Sequence, residues 1–156
     1  MTSLLKILLI LFSIIILAPI QVILIKFNLK YKIHIPKIFH KIVLKILGIR
    51  VKLIGTKEDK RPLILIGNHT SYLDIVVLGS IMPICFVAKE EIRNWFLFGF
   101  LARMQNTIFI NRKNFKALES LEFINKQISN NSALVLFPEG TTSTGKKVLS
   151  FKSSLF

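Results

Sequence analysis

The hydrophobic residues are concentrated at the start of the chain. Residues 7–25 are almost entirely apolar and are interrupted only by Ser13, Pro19 and Gln21. A helix over this run is roughly 30 Å long, which matches the hydrocarbon core of a bilayer. The alternative is a cleaved signal peptide, which would have a shorter apolar stretch followed by a small-residue cleavage site. No convincing cleavage site follows this run. We therefore predict a membrane anchor over residues 1–30, with Pro19 leaving open a kinked or half-inserted hairpin.

A basic amphipathic pattern follows over residues 31–48. Pro36 suits a first helical position and Gly48 a C-terminal cap, so we predict a helix over residues 36–47. One face carries lysines and the other is apolar: Lys37, Lys41 and Lys45 against Ile38, Phe39, Ile42, Val43, Ile46 and Leu47. The pattern is typical of an interfacial helix with its cations at the headgroups. A helix packed on the domain core, with a solvated lysine stripe, fits equally well.

The lysines also predict an orientation. Only Lys6 precedes the apolar run, whereas six lysines follow it closely: Lys26, Lys30, Lys32, Lys37, Lys41 and Lys45. The positive-inside rule then places the rest of the chain on the cytoplasmic side of the inner membrane.

The single cysteine, Cys85, agrees with a reducing compartment and excludes a disulfide framework. His34 and His40 lie in this basic stretch without a nearby carboxylate, and we expect both at the surface.

Beyond Gly48, short apolar runs alternate with longer helical patterns. Strands are predicted at residues 49–54, 63–66, 84–88, 107–110 and 133–137. Helices are predicted at residues 71–81, 90–104 and 114–129. Strands separated by helical segments of about 10–15 residues indicate an α/β fold with a largely parallel sheet. We therefore predict one α/β domain over residues 49–156.

Composition narrows the class of protein. The chain has 156 residues, of which 52% are hydrophobic, and its 22 basic against 8 acidic residues give a formal net charge of +14. A disordered basic tail would be polar, so this class is excluded. An anionic membrane surface suits an apolar, basic chain better than a nucleic acid does. Nucleic-acid binding is supported by charge alone, because the sequence has no recognisable nucleic-acid motif.

The polar residues after the predicted strand 63–66 could carry general-base chemistry. His69 precedes Asp74 by five residues, which corresponds to about 140° on a continuous helix, so the two would not share a face. They can meet if His69 lies in the strand-to-helix turn and Asp74 in the first helical turn. The carboxylate would then fix the imidazole tautomer and leave its other nitrogen as a base. The alternative is a structural histidine, with Asp74 as a favourable charge at the helix start.

Two more polar clusters follow later strands, where parallel sheets collect their active residues. Phe109 precedes Arg112, whose guanidinium suits a phosphate or carboxylate, although such a strand-end arginine is usually a solvated charge. After Pro138, the residues Glu139, Gly140 and Thr141 offer a carboxylate, a backbone that a ligand can approach closely and a hydroxyl. Taken alone, this last cluster is explained equally well as a polar turn without a binding role.

Together and in this order, the three clusters resemble the motifs of the glycerolipid acyltransferase family, most of all the 1-acyl-sn-glycerol-3-phosphate acyltransferases. The matching residues are Asn68-His69 with Asp74 (an HxxxxD motif), Phe109 with Arg112, and Phe137-Pro138-Glu139-Gly140-Thr141. The resemblance covers about residues 63–156, including the connecting stretches 86–90 and 99–103. It implies the sheet and flanking helices of that family, at a membrane surface.

The resemblance also implies a role for each matching residue. His69 would take the proton from the free hydroxyl of 1-acyl-sn-glycerol 3-phosphate, and Asp74 would orient the imidazole. The hydroxyl would attack an acyl thioester of coenzyme A or acyl carrier protein, giving phosphatidic acid without a cofactor, a metal or a covalent acyl-enzyme. Cys85 would not be a nucleophile. The substrate-binding residues would be Asn68, Phe109, Arg112, Glu139, Gly140 and Thr141.

Two departures from the family pattern keep alternatives open. Many members carry arginine directly after the Gly-Thr of the third motif, where this chain has Thr142. In this it resembles a subgroup whose acceptors include lyso-ornithine lipids. The family's fourth motif, a proline between apolar residues, should follow residues 151–156, where the sequence stops. A truncated, inactive, membrane-associated remnant is therefore a further alternative.

Overall fold

The computed structural model describes residues 2–110 and 133–151. The predicted helix 114–129 and Arg112 lie outside these ranges. The chain divides into two compact units: unit 1 comprises Met1–Lys57 and Ile75–Pro83, and unit 2 comprises Glu58–Asp74 and Ile84–Phe156.

Unit 1 begins with helix α1, Ser3–Lys26, which continues through Pro19. Its burial pattern is the reverse of that in a soluble helix, because the buried residues are the polar Ser13 and Gln21 while most of its Leu, Ile and Phe side chains are exposed. The Gln21 side-chain amide donates to the backbone oxygen of Lys32 at 2.9 Å. By length and composition α1 can cross a membrane. The predicted apolar helix is thus present, and it turns its hydrophobic surface away from the protein.

Helix α2, His34–Leu47, runs back along α1. It ends at Gly48, whose left-handed φ of 77° forms the cap that the sequence predicts. The Lys6 ammonium at the start of α1 donates to the backbone oxygen of Leu47 at 3.4 Å, so the two helices are antiparallel. Lys41 and Lys45 of α2 are exposed.

His40 of α2 is buried, so the expected surface position is wrong for it, whereas His34 is exposed as predicted. The His40 ring packs against Gly79 of helix α3, Leu73–Ile81. A Cβ atom at Gly79 would lie 1.9 Å from His40 Nδ1. The two helices approach this closely only because residue 79 has no side chain.

We expect Gly79→Ala to destabilise unit 1 by about 1–3 kcal/mol, because the added methyl group overlaps the buried ring of His40. Denaturant unfolding in detergent micelles measures this loss. The same substitution should cost much less in a His40→Ala background, where the ring is absent. Gly67→Ala is the matched control, since nothing lies within 4 Å of a Cβ there. An equal loss in both backgrounds would contradict the predicted overlap.

Unit 2 contains a parallel sheet whose four described strands are ordered β1-β4-β2-β3. They are β1 (Leu63–Ile66), β2 (Cys85–Lys89), β3 (Ile108–Ile110) and β4 (Ala133–Leu136). The predicted α/β class is confirmed, with flanking helices and strand bounds within a residue or two. The strand predicted at residues 49–54 is wrong. Within residues 2–110 and 133–151 no strand pairs with it, and Ile54 is 82% exposed.

The two faces of the sheet carry different residues. One face carries a buried hydrophobic cluster of Cys85, Ile108, Ile110, Leu134 and Leu136, and buried residues lie on the other face as well. Side chains alternate along each strand, and Phe86 pairs with Val135 while Ala88 pairs with Phe109. The opposite face therefore carries Phe86, Val135 and Phe109. The ring of Phe137, just beyond β4, stacks on Phe86 at 6.2 Å between centroids.

The helix predicted at residues 90–104 is two elements. A 3₁₀ turn covers Glu90–Asn94 and helix α4 covers Phe96–Met104, with Trp95 extended between them. A Cβ atom at Gly99 would lie 2.3 Å from the backbone oxygen of Arg93. Glycine at this position is what lets α4 fold back on the 3₁₀ turn.

Candidate active site

The candidate site is built at the carboxyl end of β1. The Gly67 amide donates to the backbone oxygen of Leu136 at 3.2 Å, so the parallel pairing with β4 extends one residue beyond the strand. The chain then turns through residues 68–72 before α3 begins. His69 lies in this turn and Asp74 in the first turn of α3. This is the one arrangement in which their spacing allows a contact.

Asp74 binds the turn through several hydrogen bonds. Its Oδ2 lies 2.9 Å from His69 Nδ1 and accepts from the backbone amides of Thr70, at 2.7 Å, and Ser71, at 3.0 Å. The Thr70 hydroxyl donates to Oδ1 at 3.3 Å. Burial acts to raise the pKa of Asp74, but the hydrogen bonds from Ser71, His69 and Thr70 outweigh it and hold that pKa below its usual value of 3.8.

The ionised carboxylate fixes the imidazole tautomer. An ionised carboxylate only accepts hydrogen bonds, so in the neutral imidazole Nδ1 carries the hydrogen and Nε2 keeps its lone pair. The side chain of His69 is 15% exposed and that of Asp74 is 22% exposed. The ring is therefore held from one side and still open to solvent. This geometry suits a general base.

Two contacts from beyond β4 also hold His69. Its ring stacks on Phe137, with centroids 4.3 Å apart and planes inclined by 16°. Its backbone oxygen accepts from the Ser143 amide at 2.8 Å. Sequence reasoning assigned neither residue a role. Both contacts depend on the pairing of residues 63–66 with residues 133–136, which brings the ends of β1 and β4 together.

The loop after β4 is held by its own glutamate. Glu139 is 1% exposed, and its Oε1 accepts from the backbone amide of Leu149 at 3.2 Å. Gly140 has a left-handed φ of 66°, and its amide donates to the Phe137 oxygen at 3.0 Å. Thr141 is exposed. Glu139 thus fixes the path of the loop that carries Ser143 to the His69 turn.

The remaining predicted site residues differ in their distance from His69. Asn68 is exposed beside it. Phe109 is half-buried on β3, three strand spacings or about 14 Å from β1. The Arg93 guanidinium lies over the Phe109 ring, 4.8 Å from its centroid. No sequence signal pointed to Arg93. Arg112, which the sequence places with Phe109, is outside the described residues.

The surroundings of Cys85 indicate a structural role for this residue. It is buried in the core, its thiol donates to the backbone oxygen of Ala133 at 3.3 Å, and burial raises its pKa to about 11. A thiol in this state is a poor nucleophile. Among the residues that the structure describes, no group of three or more His, Cys, Asp or Glu side chains could hold a metal ion.

Comparison with known proteins connects this geometry to a family. A family model described as Acyltransferase matches residues 48–156. The lyso-ornithine lipid O-acyltransferase of Brucella abortus is 40% identical over 90% of this chain and 53% of its own length. The 1-acyl-sn-glycerol-3-phosphate acyltransferase of Neisseria meningitidis is 32% identical over 66% of this chain and 42% of its own length.

The fold has a counterpart among solved structures. The crystal structure of the 1-acyl-sn-glycerophosphate acyltransferase PlsC from Thermotoga maritima matches with a TM-score of 0.67 and 27% identity. The match covers 98% of this chain and 68% of that one. The chain spans about half the length of the curated relatives it matches.

Proposed function

This chain belongs to the acyltransferase family, and from that premise we propose that it transfers a fatty acyl group from a thioester to the free hydroxyl of a membrane lysolipid. The observation that carries the proposal is the imidazole of His69, with Nδ1 held by Asp74 at 2.9 Å and Nε2 left as a base. An alcohol is a weak nucleophile at neutral pH, and a positioned base relieves that weakness.

The proposed reaction is a direct transfer. Nε2 of His69 takes the proton of the lysolipid hydroxyl while its oxygen attacks the thioester carbonyl. The carbon–sulfur bond then breaks, an ester forms, and the imidazolium returns its proton to the leaving thiolate. Asp74 stabilises the imidazolium between these two steps. The thioester is that of acyl-CoA or acyl carrier protein, and no cofactor takes part.

The headgroup is proposed to bind beyond His69. Asn68 lies beside the imidazole, and Gly140 and Thr141 lie on the loop that Glu139 holds in place. Phe109 lies on β3, and Arg112, which follows it in the sequence, is proposed to supply a cation to an anionic headgroup. The Phe109 ring already carries one cation, the Arg93 guanidinium.

Two acceptors are proposed, and the comparisons favour lyso-ornithine lipid. The lyso-ornithine lipid acyltransferases match at higher identity and over more of this chain than the Neisseria enzyme. Thr142 agrees with this, because a carboxylate paired with the ammonium of ornithine needs fewer protein cations than a phosphate monoester. 1-Acyl-sn-glycerol 3-phosphate is the second candidate, supported by the structural match to the Thermotoga enzyme.

The assay that tests the proposal follows a labelled acyl group from acyl-CoA or acyl carrier protein into each lysolipid, in membranes that carry this chain. Label is expected in lyso-ornithine lipid above 1-acyl-sn-glycerol 3-phosphate. No label in either acceptor, with a folded and membrane-bound chain, would overturn the proposed transfer.

Thr142→Arg should shift acceptor preference toward 1-acyl-sn-glycerol 3-phosphate. Thr142 is exposed on the loop after β4, and an added guanidinium there can make a charge-assisted bond to phosphate. We expect the ratio of the two transfer rates to move by about tenfold. Thr144→Arg is the matched control on the same loop, and an equal shift in both variants would show an effect of bulk charge alone.

The apolar helix and the family together indicate a membrane protein. The side of the membrane is proposed from the lysines that follow α1. Their excess favours a hairpin of α1 and α2 that enters from the cytoplasmic face, where acyl thioesters are made. Lys41 and Lys45 are exposed on α2 and available to anionic headgroups.

A further inference from the structure

Three aromatic side chains of unit 2 are exposed at the start of α4. Trp95, Phe96 and Phe98, here called the aromatic patch, are 48%, 97% and 65% exposed. The rings of Trp95 and Phe98 meet edge to face, with centroids 6.5 Å apart. Phe96 makes almost no contact within the protein, so the fold does not account for its large apolar side chain. Clustered exposed rings of this kind mark a surface that meets another apolar phase or a partner.

The charges beside the aromatic patch have a small positive excess. Lys89, Arg93 and Arg103 are exposed on the elements that carry or flank the patch. Two acids lie nearby: Glu90 pairs with Arg93 at 2.7 Å, so the two charges offset each other, and Glu91 is exposed on the same 3₁₀ turn. After Glu91 the sequence has no acidic residue until Glu119. Aromatic rings with arginine and lysine at their edge suit the boundary between acyl chains and anionic headgroups.

The aromatic patch is continuous with the candidate active site. The 3₁₀ turn that precedes it starts directly at the carboxyl end of β2. Within that turn, Arg93 lies over the ring of Phe109. Phe109 shares a sheet face with Phe86, on which Phe137 stacks, and Phe137 in turn stacks on His69. Aromatic rings therefore link the patch to the imidazole through the interior of unit 2, where Phe86 is buried.

We propose that the aromatic patch is a membrane-contact surface, in which Trp95, Phe96 and Phe98 enter the headgroup boundary of an anionic bilayer. Arg93 and Arg103 lie at the phosphate level. The bilayer is favoured over a protein partner because the rings are flanked by cations and because α1 already tethers the chain to lipid. This membrane contact does not depend on the proposed function.

Trp95 is the only tryptophan in the sequence, so its fluorescence reports directly on the aromatic patch. The full chain is placed in vesicles of phosphatidylcholine with a minority of phosphatidylglycerol, with or without lipids brominated along the acyl chain. We expect a blue-shifted emission, strong quenching by bromine close to the headgroup and weaker quenching by bromine near the chain end.

Two results would overturn the proposal. An unshifted emission that acrylamide quenches freely would place Trp95 in water. A blue-shifted emission that no brominated lipid quenches would show that protein covers the patch, either a second copy or another segment. Measuring acyl transfer on the same vesicles separates the two proposals. Quenching without transfer contradicts the proposed function alone, and transfer without quenching contradicts the membrane contact alone.

Variants test the patch without removing the reporter. Phe96→Ser with Phe98→Ser should lower bromolipid quenching of Trp95 by about half, because two of the three rings are lost. Val148→Ser is the matched control, an equally exposed apolar residue of the same unit, and should leave quenching unchanged. Helix α1 is intact in every variant and keeps each one in the vesicles. Unchanged quenching in the double variant would contradict the proposed insertion.

Discussion

Replacing His69 by alanine should lower acyl transfer by about 10²–10⁴-fold, which is the usual contribution of a positioned general base. Nε2 of this imidazole is the nitrogen that would receive the proton of the lipid hydroxyl. The substitution removes that nitrogen, yet it leaves Asp74 with its two backbone donors, the amides of Thr70 and Ser71. The turn should therefore keep its path. The measurement is the initial rate of labelled acyl transfer into lysolipid at matched amounts of chain.

His34→Ala is the control for removing a histidine as such, because His34 is exposed and lies in unit 1. It should transfer at the wild-type rate. Equal rates for wild type and His69→Ala would contradict the role of this imidazole. If both are silent while folded and membrane-bound, the chain is an inactive remnant of the fold, which is the alternative that the sequence leaves open.

The sheet is predictable because its strands are short apolar runs with abrupt ends. Residues 63–66 and 133–136 are apolar runs between polar turns, and both strands form within one residue of the prediction. The cap of α2 is equally local, since Gly48 adopts a positive φ that other residues rarely adopt. Such features depend on a few neighbouring residues, so the sequence displays them directly.

The failures depend on tertiary contacts that a local pattern does not report. The pattern at residues 49–54 is that of a strand, but no strand among the described residues pairs with it. The burial of His40 depends on Gly79, which is distant in sequence and lacks a side chain. The break at Trp95 depends on the fold-back of α4, which Gly99 permits. Periodicity along the chain reports none of these approaches.

The candidate site shows the same division. The contact of His69 with Asp74 follows from their spacing once a strand-to-helix turn is assumed, and the structure has that turn. The stacking of Phe137 and the amide of Ser143 depend on β4 lying beside β1. That adjacency is a property of strand order, which apolar patterns do not specify. Arg93 reaches Phe109 through the path of the 3₁₀ turn, which the sequence predicted as a continuous helix.

Asp74→Asn should reduce transfer by about 10²–10⁴-fold while leaving the fold intact. Asparagine has nearly the same shape, and its side-chain oxygen can still accept from the amides of Thr70 and Ser71. What it lacks is the negative charge that stabilises the imidazolium of His69 after proton transfer. The measurement is the transfer rate as a function of pH, with unfolding followed in parallel.

The pH profile separates this role from helix capping. The pKa of Asp74 lies below its usual value, so in the wild type the carboxylate is ionised across the neutral range. Without the carboxylate, the imidazolium formed during transfer loses its anionic partner, so the plateau of the pH–rate profile should fall. Glu91→Gln removes the same charge from an exposed site and should leave the plateau unchanged. If the plateau rate is unchanged and only the stability falls, Asp74 acts only as a cap of α3.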